Sequence, residues 1–215
     1  MKIVLLSKKT DYCKLAQDYI KANFTNYQII EGENTNPLPE IEWTCDYLIS
    51  FLSPWIIPKS ILTKAKYAIN FHPSPPKYPG IGCYNFAIYD KQTEYGATCH
   101  HMATKVDTGS IIRVKFFPMS AQDTVYTLKN RTMDTMVKLF YEIIDLIKNN
   151  QPFPTSDLYW LRQPYRRKDL VELCRITKDM SKEEIALRIQ ATYFPGAKDL
   201  PFIDIDGKKF ILAEQ

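Results

Sequence analysis

Tyr67-Ala68-Ile69-Asn70-Phe71-His72-Pro73-Ser74 is the stretch on which the reading of the fold rests. Tyr67 to His72 reads as a β-strand, and Pro73, which cannot donate to a ladder, stops it. Side chains alternate along a strand, so Asn70 and His72 share one face at its carboxyl end. Towards the N-terminus, Tyr47 to Leu52, Tyr27 to Ile30 and residues 2 to 7 (KIVLLS) read as three more strands. Thr10 is placed to cap a helix with Tyr12, Leu15, Tyr19 and Ile20 on one face, and Pro58 to open a short helix running to about Ala65. Residues 32 to 44 are polar, rich in Asn and Pro, and read as loop. Strands alternating with helices predict an α/β fold: a doubly wound, Rossmann-like, mostly parallel sheet with right-handed crossovers. In open sheets of this kind ligands bind outside the carboxyl ends of the strands, where Asn70 and His72 fall.

Towards the C-terminus, Pro73, Pro75, Pro76 and Pro79 stiffen the next stretch, which runs to Gly82. Asn85 to Asp90 reads as a helical turn or two. Gly96 to Thr104 and Ser110 to Phe117 read as strands joined by a turn at Asp107-Thr108-Gly109. Ser120 with Asp123 has the spacing of a capping box. It precedes the clearest helix, with Val125, Leu128, Thr132, Met136, Leu139, Phe140, Ile143 and Ile147 at helical spacing. After Pro152 the texture changes: residues 159 to 168 (YWLRQPYRRK) mix aromatics with basic side chains. Ser181 and Glu184 predict a helix to about Thr192. Phe202 to Ile205 and Lys209 to Leu212 read as a hairpin about Asp206-Gly207. The chain therefore divides near residue 151, into a core of residues 1–150 and a small α+β extension of residues 151–215.

Composition excludes several classes. The 215 residues are 24% charged and 45% hydrophobic, as in an ordinary globular chain. No apolar run approaches the roughly 20 residues of a membrane helix, and the apolar N-terminal run is short for a signal peptide. The formal charge of +4 is milder than that of a dedicated nucleic-acid binder. The five cysteines are widely spaced with no CxxC, which predicts reduced thiols and a cytoplasmic protein. No membrane or nucleic-acid partner is expected.

An amide beside an imidazole is equipment for acyl transfer, the amide stabilising an oxyanion and the imidazole moving a proton. Spacing alone favours the plainer reading, a strand-end histidine bonded to backbone beside a turn asparagine. Asp107 could orient His72, or could serve only the turn that Gly109 completes. Cys99, His100 and His101 do not make a metal site, because adjacent strand residues face opposite sides and no second ligand pair has zinc-like spacing. Gly80-x-Gly82 lacks the third glycine of a dinucleotide fingerprint, since Asn85 stands there. There is no phosphate-binding GxxxxGK[ST] and no GxSxG.

Asn70-Phe71-His72-Pro73-Ser74, then Pro79-Gly80, Asn85, Ala87-Ile88, Gly96-Ala97-Thr98, His100, Met102 and Val106-Asp107-Thr108-Gly109-Ser110-Ile111, closely resembles the core of the N10-formyltetrahydrofolate-dependent formyltransferases. That family includes glycinamide ribonucleotide and methionyl-tRNA formyltransferases. The resemblance implies a catalytic triad on Asn70, His72 and Asp107, with His100 close by. It implies a site for N10-formyltetrahydrofolate, and no metal, at the loop Leu52-Ser53-Pro54-Trp55-Ile56-Ile57-Pro58 and the segment before the aspartate. Leu52, Ser53, Trp55, Ile56, Thr104 and Val106 are its candidate residues.

The acceptor amine is narrowed by three features. The chain ends soon after the core, so the C-terminal barrel of the tRNA enzymes is not expected. Pro79 stands where tRNA-type relatives usually carry arginine. The segments from Asp157 to Lys168 and from Ala191 to Ala197 are similar to the sugar N-formyltransferases, which act on nucleotide-linked amino sugars. The resemblance then implies dTDP-4-amino-4,6-dideoxyglucose as acceptor, in surface polysaccharide (O-antigen) synthesis, and a homodimer. Ser74, Lys77, Tyr78, Asn85, His100, Tyr159, Trp160 and Arg162 are candidate acceptor contacts. Tyr159 or Trp160 could stack on the base, and Arg162 or Lys77 could meet the pyrophosphate. A UDP-amino sugar, glycinamide ribonucleotide, or a catalytically silent folate-binding role are the alternatives.

Overall fold

The computed structural model describes residues 1–33 and 36–212, so residues 34 and 35 of the expected loop lie outside the described residues. The first strand, β1 (Ile3–Ser7), is wholly buried, as a central parallel strand should be. Helix α1 (Asp11–Asn23) follows, and the Thr10 side chain accepts from the Cys13 N–H at its start. Then come β2 (Tyr27–Glu31), β3 (Cys45–Phe51), the single-turn helix α2 (Lys59–Leu62), β4 (Ala65–His72), α3 (Cys83–Tyr89), β5 (Glu94–His101), β6 (Ile111–Pro118) and the long α4 (Val125–Lys148).

These strands form one sheet in the order β2-β1-β3-β4-β5-β6. Pairing is parallel from β2 to β4, as expected, and antiparallel at β4–β5 and β5–β6. The reversal has a simple cause. A parallel connection must carry the chain back along the whole sheet, and α3, at about 1.5 Å per residue, is too short for that. The chain therefore re-enters from the end it left.

Alternation in β4 decides where chemistry can occur. Ile69 and Phe71 face α1 and α4, in a core with Ile3, Leu5, Met136, Phe140 and Ile143. Ala68 faces the opposite side, with Val4, Leu6, Leu48, Trp43, Ile57 and Met102. Asn70 and His72 point to that second side.

Helix α4 is capped differently from the expectation. Thr124 and Thr127 bond reciprocally at its start, while Asp123 accepts from the Ser120 N–H and pairs with Arg131 at 2.8 Å. The Ser120/Asp123 spacing closes a turn just before the helix rather than capping it.

Beyond residue 151 lie α5 (Arg167–Cys174), β7 (Arg175–Ile176), α6 (Lys182–Thr192), β8 (Phe202–Ile205) and β9 (Lys208–Ile211). The three strands form a second small sheet, with the expected hairpin at Asp206 and Gly207, both at positive φ. Ser181 caps α6 as expected, but the Glu184 carboxylate goes to the Tyr89 hydroxyl and Arg188 instead of closing the box. Helix α5 and strand β7 are not expected from the sequence: only Leu170, Leu173 and Cys174 of α5 are buried, too few to stand out in a basic stretch. Leu173 and Ala191 share a cluster with Tyr78, Phe86, Val125 and Leu128, so residues from both sides of position 151 pack together. Among the described residues no helix is long and apolar enough to cross a membrane, and all five cysteines are free and buried.

Candidate active site

Strands β4 and β5 place Asn70 directly opposite His100, and an irregularity between Cys99 and His100 re-aims the second histidine. The Asn70 amide nitrogen lies 3.1 Å from His100 Nε2. The other ring nitrogen, Nδ1, donates to the His101 carbonyl at 2.8 Å. That bond turns Nε2 towards the Asn70 amide and holds the two side chains against each other.

Asp107 comes from the loop between β5 and β6, with its backbone in the left-handed region (φ 49°). Strain of this kind persists only where the surroundings hold it. Here Gly109 lies flat against the His101 carbonyl, and the His101 N–H donates to the Ser110 carbonyl at 2.9 Å. The Asp107 carboxylate then reaches between two imidazoles: Oδ2 is 3.3 Å from His72 Nδ1 and Oδ1 is 3.5 Å from His100 Nε2. The Gly80 N–H donates to Oδ2 at 2.9 Å. Gly80 must be glycine: its φ is 87°, and a Cβ would stand 2.3 Å from the Tyr165 carbonyl oxygen.

All three titratable groups are buried. Burial pushes the Asp107 carboxyl up, but His72, His100 and the Gly80 N–H outweigh it and hold it at about 2. Burial pushes the His72 imidazole below its ordinary 6.5, with Asp107 and the Tyr78 carbonyl offsetting part of that. His72 meets an oxygen at each nitrogen, Asp107 at Nδ1 and the Tyr78 carbonyl 3.2 Å from Nε2. A neutral ring has one N–H and satisfies only one of them; the imidazolium satisfies both. The ring is thus neutral by burial yet built to take a proton.

A cleft of about 430 Å³ opens over this cluster, at the carboxyl ends of β3 and β4 and beside Lys8, which follows β1. Asn70, His72, His100 and Asp107 all line it, with Leu52, Ser53, Trp55, Ile56 and Val106 of the expected cofactor set. Thr104 is exposed and does not line it. Sequence reading missed Lys8, Met102 and Lys105 on its walls. Lys8 follows β1 at the switch point of the sheet, and that position was the available signal. The Gly80 N–H carried none beyond the Pro-Gly pair.

The other expected acceptor residues divide. Ser74 is fully buried behind His72, its hydroxyl donating to the Tyr78 carbonyl at 2.6 Å. Tyr78 offers that carbonyl, while its ring is buried and its hydroxyl donates to Asp90. Lys77 donates to Gln92 at the surface. Asn85 ties α3 to α6 through the Ala191 carbonyl, away from the cleft. Tyr159 is 71% exposed. Arg162 lies flat on the Tyr165 ring, 3.2 Å from its centre, and that ring stacks in turn on Phe86. Trp160, expected to stack on a base, instead donates its indole N–H to the Gly109 carbonyl at 2.8 Å and packs against both His72 and His100. Among the described residues no three His, Cys, Asp or Glu side chains gather as metal ligands.

Comparison with known proteins bears on the family and the fold. The sequence profile described as "Formyl transferase" matches residues 7–144. The methionyl-tRNA formyltransferase of Fusobacterium nucleatum is 26% identical over 184 residues, 83% of this chain. The chain spans 58% of that relative's length. A sugar N-formyltransferase from a Shewanella species has the same fold, with a TM-score of 0.79 at 20% identity, over 99% of this chain and 96% of that one. An N-formyltransferase from Helicobacter canadensis, solved with folinic acid and dTDP-3-aminofucose, superposes with a TM-score of 0.75 at 21% identity, over 97% of this chain and 86% of that one.

Proposed function

The chain belongs to the formyl transferase family, and we propose that it moves a formyl group from N10-formyltetrahydrofolate to the amine of a nucleotide-linked amino sugar. The observation that carries this is the Asn70, His72, His100 and Asp107 cluster on the wall of the cleft. The cleft suits the formyl donor. Leu52, Trp55, Ile57, Met102 and Val106 offer apolar surface to a flat ring, and Lys8 and Lys105 offer cations to an anionic tail.

In the transfer the amine nitrogen bonds to the formyl carbon, the bond from that carbon to folate N10 breaks, one proton leaves the amine and one reaches N10. His72 takes the amine proton, and the resulting imidazolium donates to Asp107 from Nδ1 and to the Tyr78 carbonyl from Nε2. Proton uptake thereby improves both contacts of the ring, which favours the transition state over the ground state. Asn70, held by His100, presents an amide N–H to the developing oxyanion. Asp107 stays ionised, orients His72 and balances the imidazolium before the proton passes to N10.

Within this reading residues 1–150 carry donor binding and transfer. Residues 151–215 contribute acceptor contacts and a homodimer interface, for which the outer strand β9, with Phe210 53% and Ile211 55% exposed, is the candidate. We take dTDP-4-amino-4,6-dideoxyglucose as acceptor, O-antigen synthesis as setting and the cytoplasm as compartment. The sugar class is supported by the fold likeness to the Shewanella enzyme, which runs through the C-terminal sheet, outside residues 7–144. The curated relative keeps a second reading in view, with methionyl-tRNA as acceptor.

The test is transfer to a panel of dTDP- and UDP-linked amino sugars, glycinamide ribonucleotide and charged initiator tRNA, with products weighed by mass spectrometry. A single formyl gain on a dTDP-amino sugar supports the reading. Transfer only to tRNA or to the ribonucleotide moves the acceptor class, and folate binding without transfer to any acceptor overturns catalysis. A pH profile follows from the same site. The base must be neutral, and burial holds His72 below 6.5. The acid limb of kcat/KM is therefore expected with its midpoint below 6.5, activity falling as pH drops through it. Asp107, ionised down to about 2, adds no limb in that range.

A further inference from the structure

His72 and His100 line the cleft, while Trp160, which packs against both rings, is not part of its wall. Its ring lies 5.9 Å from His72 and 5.0 Å from His100, centre to centre, close to perpendicular to each. Its N–H is spent on the Gly109 carbonyl, in the turn that carries Asp107. The chain on either side of it is anchored too. The Leu161 N–H donates to the Pro76 carbonyl, the Tyr165 N–H to Pro79, and the Ile81 N–H to Tyr165. The loop gripped in this way, residues 76–81, supplies the Tyr78 carbonyl to His72 and the Gly80 N–H to Asp107. Residues 160–165 lie beyond the 7–144 family match, yet they hold the loop from which both of these backbone groups come.

We infer that Trp160 is a positioning residue for formyl transfer: it locks the Asp107 turn and both imidazoles into one geometry and keeps water from the side of the rings away from the cleft. The inference rests on the formyl-transfer reading for its kinetic consequences but not for its physical ones. The titratable groups facing His72 are Asp107 from the turn and His100 from β5, while the nearby Cys83 on α3 has its thiol pKa pushed up by burial and, in part, by Asp107. Burial is what keeps the His72 ring neutral, so opening its far side to water restores its affinity for a proton.

The test compares wild type with Trp160→Phe, Trp160→Ala and, as control, Leu15→Ala on the far helix α1, whose side chain is 47% exposed. Two readouts are taken. The first is kcat, KM for the formyl donor and the acid limb of kcat/KM. The second is the titration of the His72 and His100 rings followed by NMR without substrate.

Trp160→Ala is expected to lower kcat roughly 100-fold, as a misplacement of about 1 Å does, with donor KM within about threefold. Its acid limb and its His72 titration should move up by ~0.5 pH unit or more as the ring is rehydrated. Trp160→Phe keeps the aromatic packing but loses the N–H bond, and should lose roughly tenfold in kcat, the equivalent of one hydrogen bond. Leu15→Ala should match wild type in both readouts. Folded Trp160 variants with a wild-type acid limb, wild-type His72 titration and kcat within about twofold would overturn the inference. If Trp160→Ala does not fold, Trp160→Phe decides alone. If wild type transfers no formyl group to any acceptor, the functional reading fails, and the His72 titration in Trp160→Ala still decides whether the indole sets the environment of the rings.

Discussion

His72→Ala should abolish most formyl transfer while leaving a folded protein that still binds the donor. Removing a positioned general base costs roughly 10²–10⁴-fold, and here the loss should sit near the middle, about 10³-fold in kcat, or ~4 kcal/mol of barrier. The proposed donor site draws mainly on Leu52, Trp55, Met102 and Val106 of the cleft wall, so KM for the donor should change little. The same substitution strips Asp107 of its main stabilising charge and leaves it the Gly80 N–H and His100. Its carboxyl should therefore titrate above the present value of about 2. The sign for stability follows. A carboxylate with a depressed pKa supports the fold above its unfolded value and loses that support as pH falls through its folded value. On acidification the variant should therefore lose less stability than wild type, since it has less carboxylate support to lose and no buried His72 ring to protonate below pH 6.5. Steady-state kinetics beside acid titrations followed by circular dichroism read both effects, and wild-type kcat in a folded His72→Ala protein rules out the proposed base.

Gly109→Ala should be the most damaging single methyl that the chain can receive near the site. The new Cβ would stand 1.8 Å from the His101 carbonyl oxygen and 2.7 Å from its carbon, which is backbone of β5 and not a side chain that can swing aside. Relief requires the turn to lift from the strand. That breaks the His101–Ser110 bond and the Trp160–Gly109 bond together. We expect about 3 kcal/mol of lost stability, the upper range of overpacking effects, read from urea midpoints at unchanged m-value. Asp107 stands two residues away, so the folded fraction should also lose at least about 100-fold in kcat. A variant of wild-type midpoint and activity would mean that the turn is not pinned as described.

The placement of Asn70, His72 and Asp107 is legible in the amino-acid sequence, while their catalytic role is only implied by the family resemblance. The Asn70/His72 pair follows from strand alternation and the proline stop, and the Val106-Asp107-Thr108-Gly109 turn from its composition. Both are local properties, set by neighbours within a few residues. Acceptor contacts are less legible. Asn85 and Lys77 are polar residues beside the right loop, but Asn85 ties two helices together and Lys77 rests on Gln92. A polar side chain near a site in sequence has no fixed direction until the elements around it are packed. Trp160 illustrates the same limit, since an aromatic among arginines is as well suited to a nucleobase as to an imidazole.

Local sequence is enough to set the alternation of strands and helices, the face on which Asn70 and His72 lie, the cap at Thr10 and the hairpin at Asp206-Gly207. Each depends on a period or a turn preference written in consecutive residues. Only in the packed chain is it settled that β5 runs against β4, that one carboxylate serves two histidines, and that Gly80, Tyr78 and Trp160 complete the cluster. Those outcomes depend on surfaces that meet only after long loops close, such as Trp160 with Gly109, 51 residues apart. Periodicity says which face of an element is buried. Which distant segment covers it is decided by the packing of the whole chain.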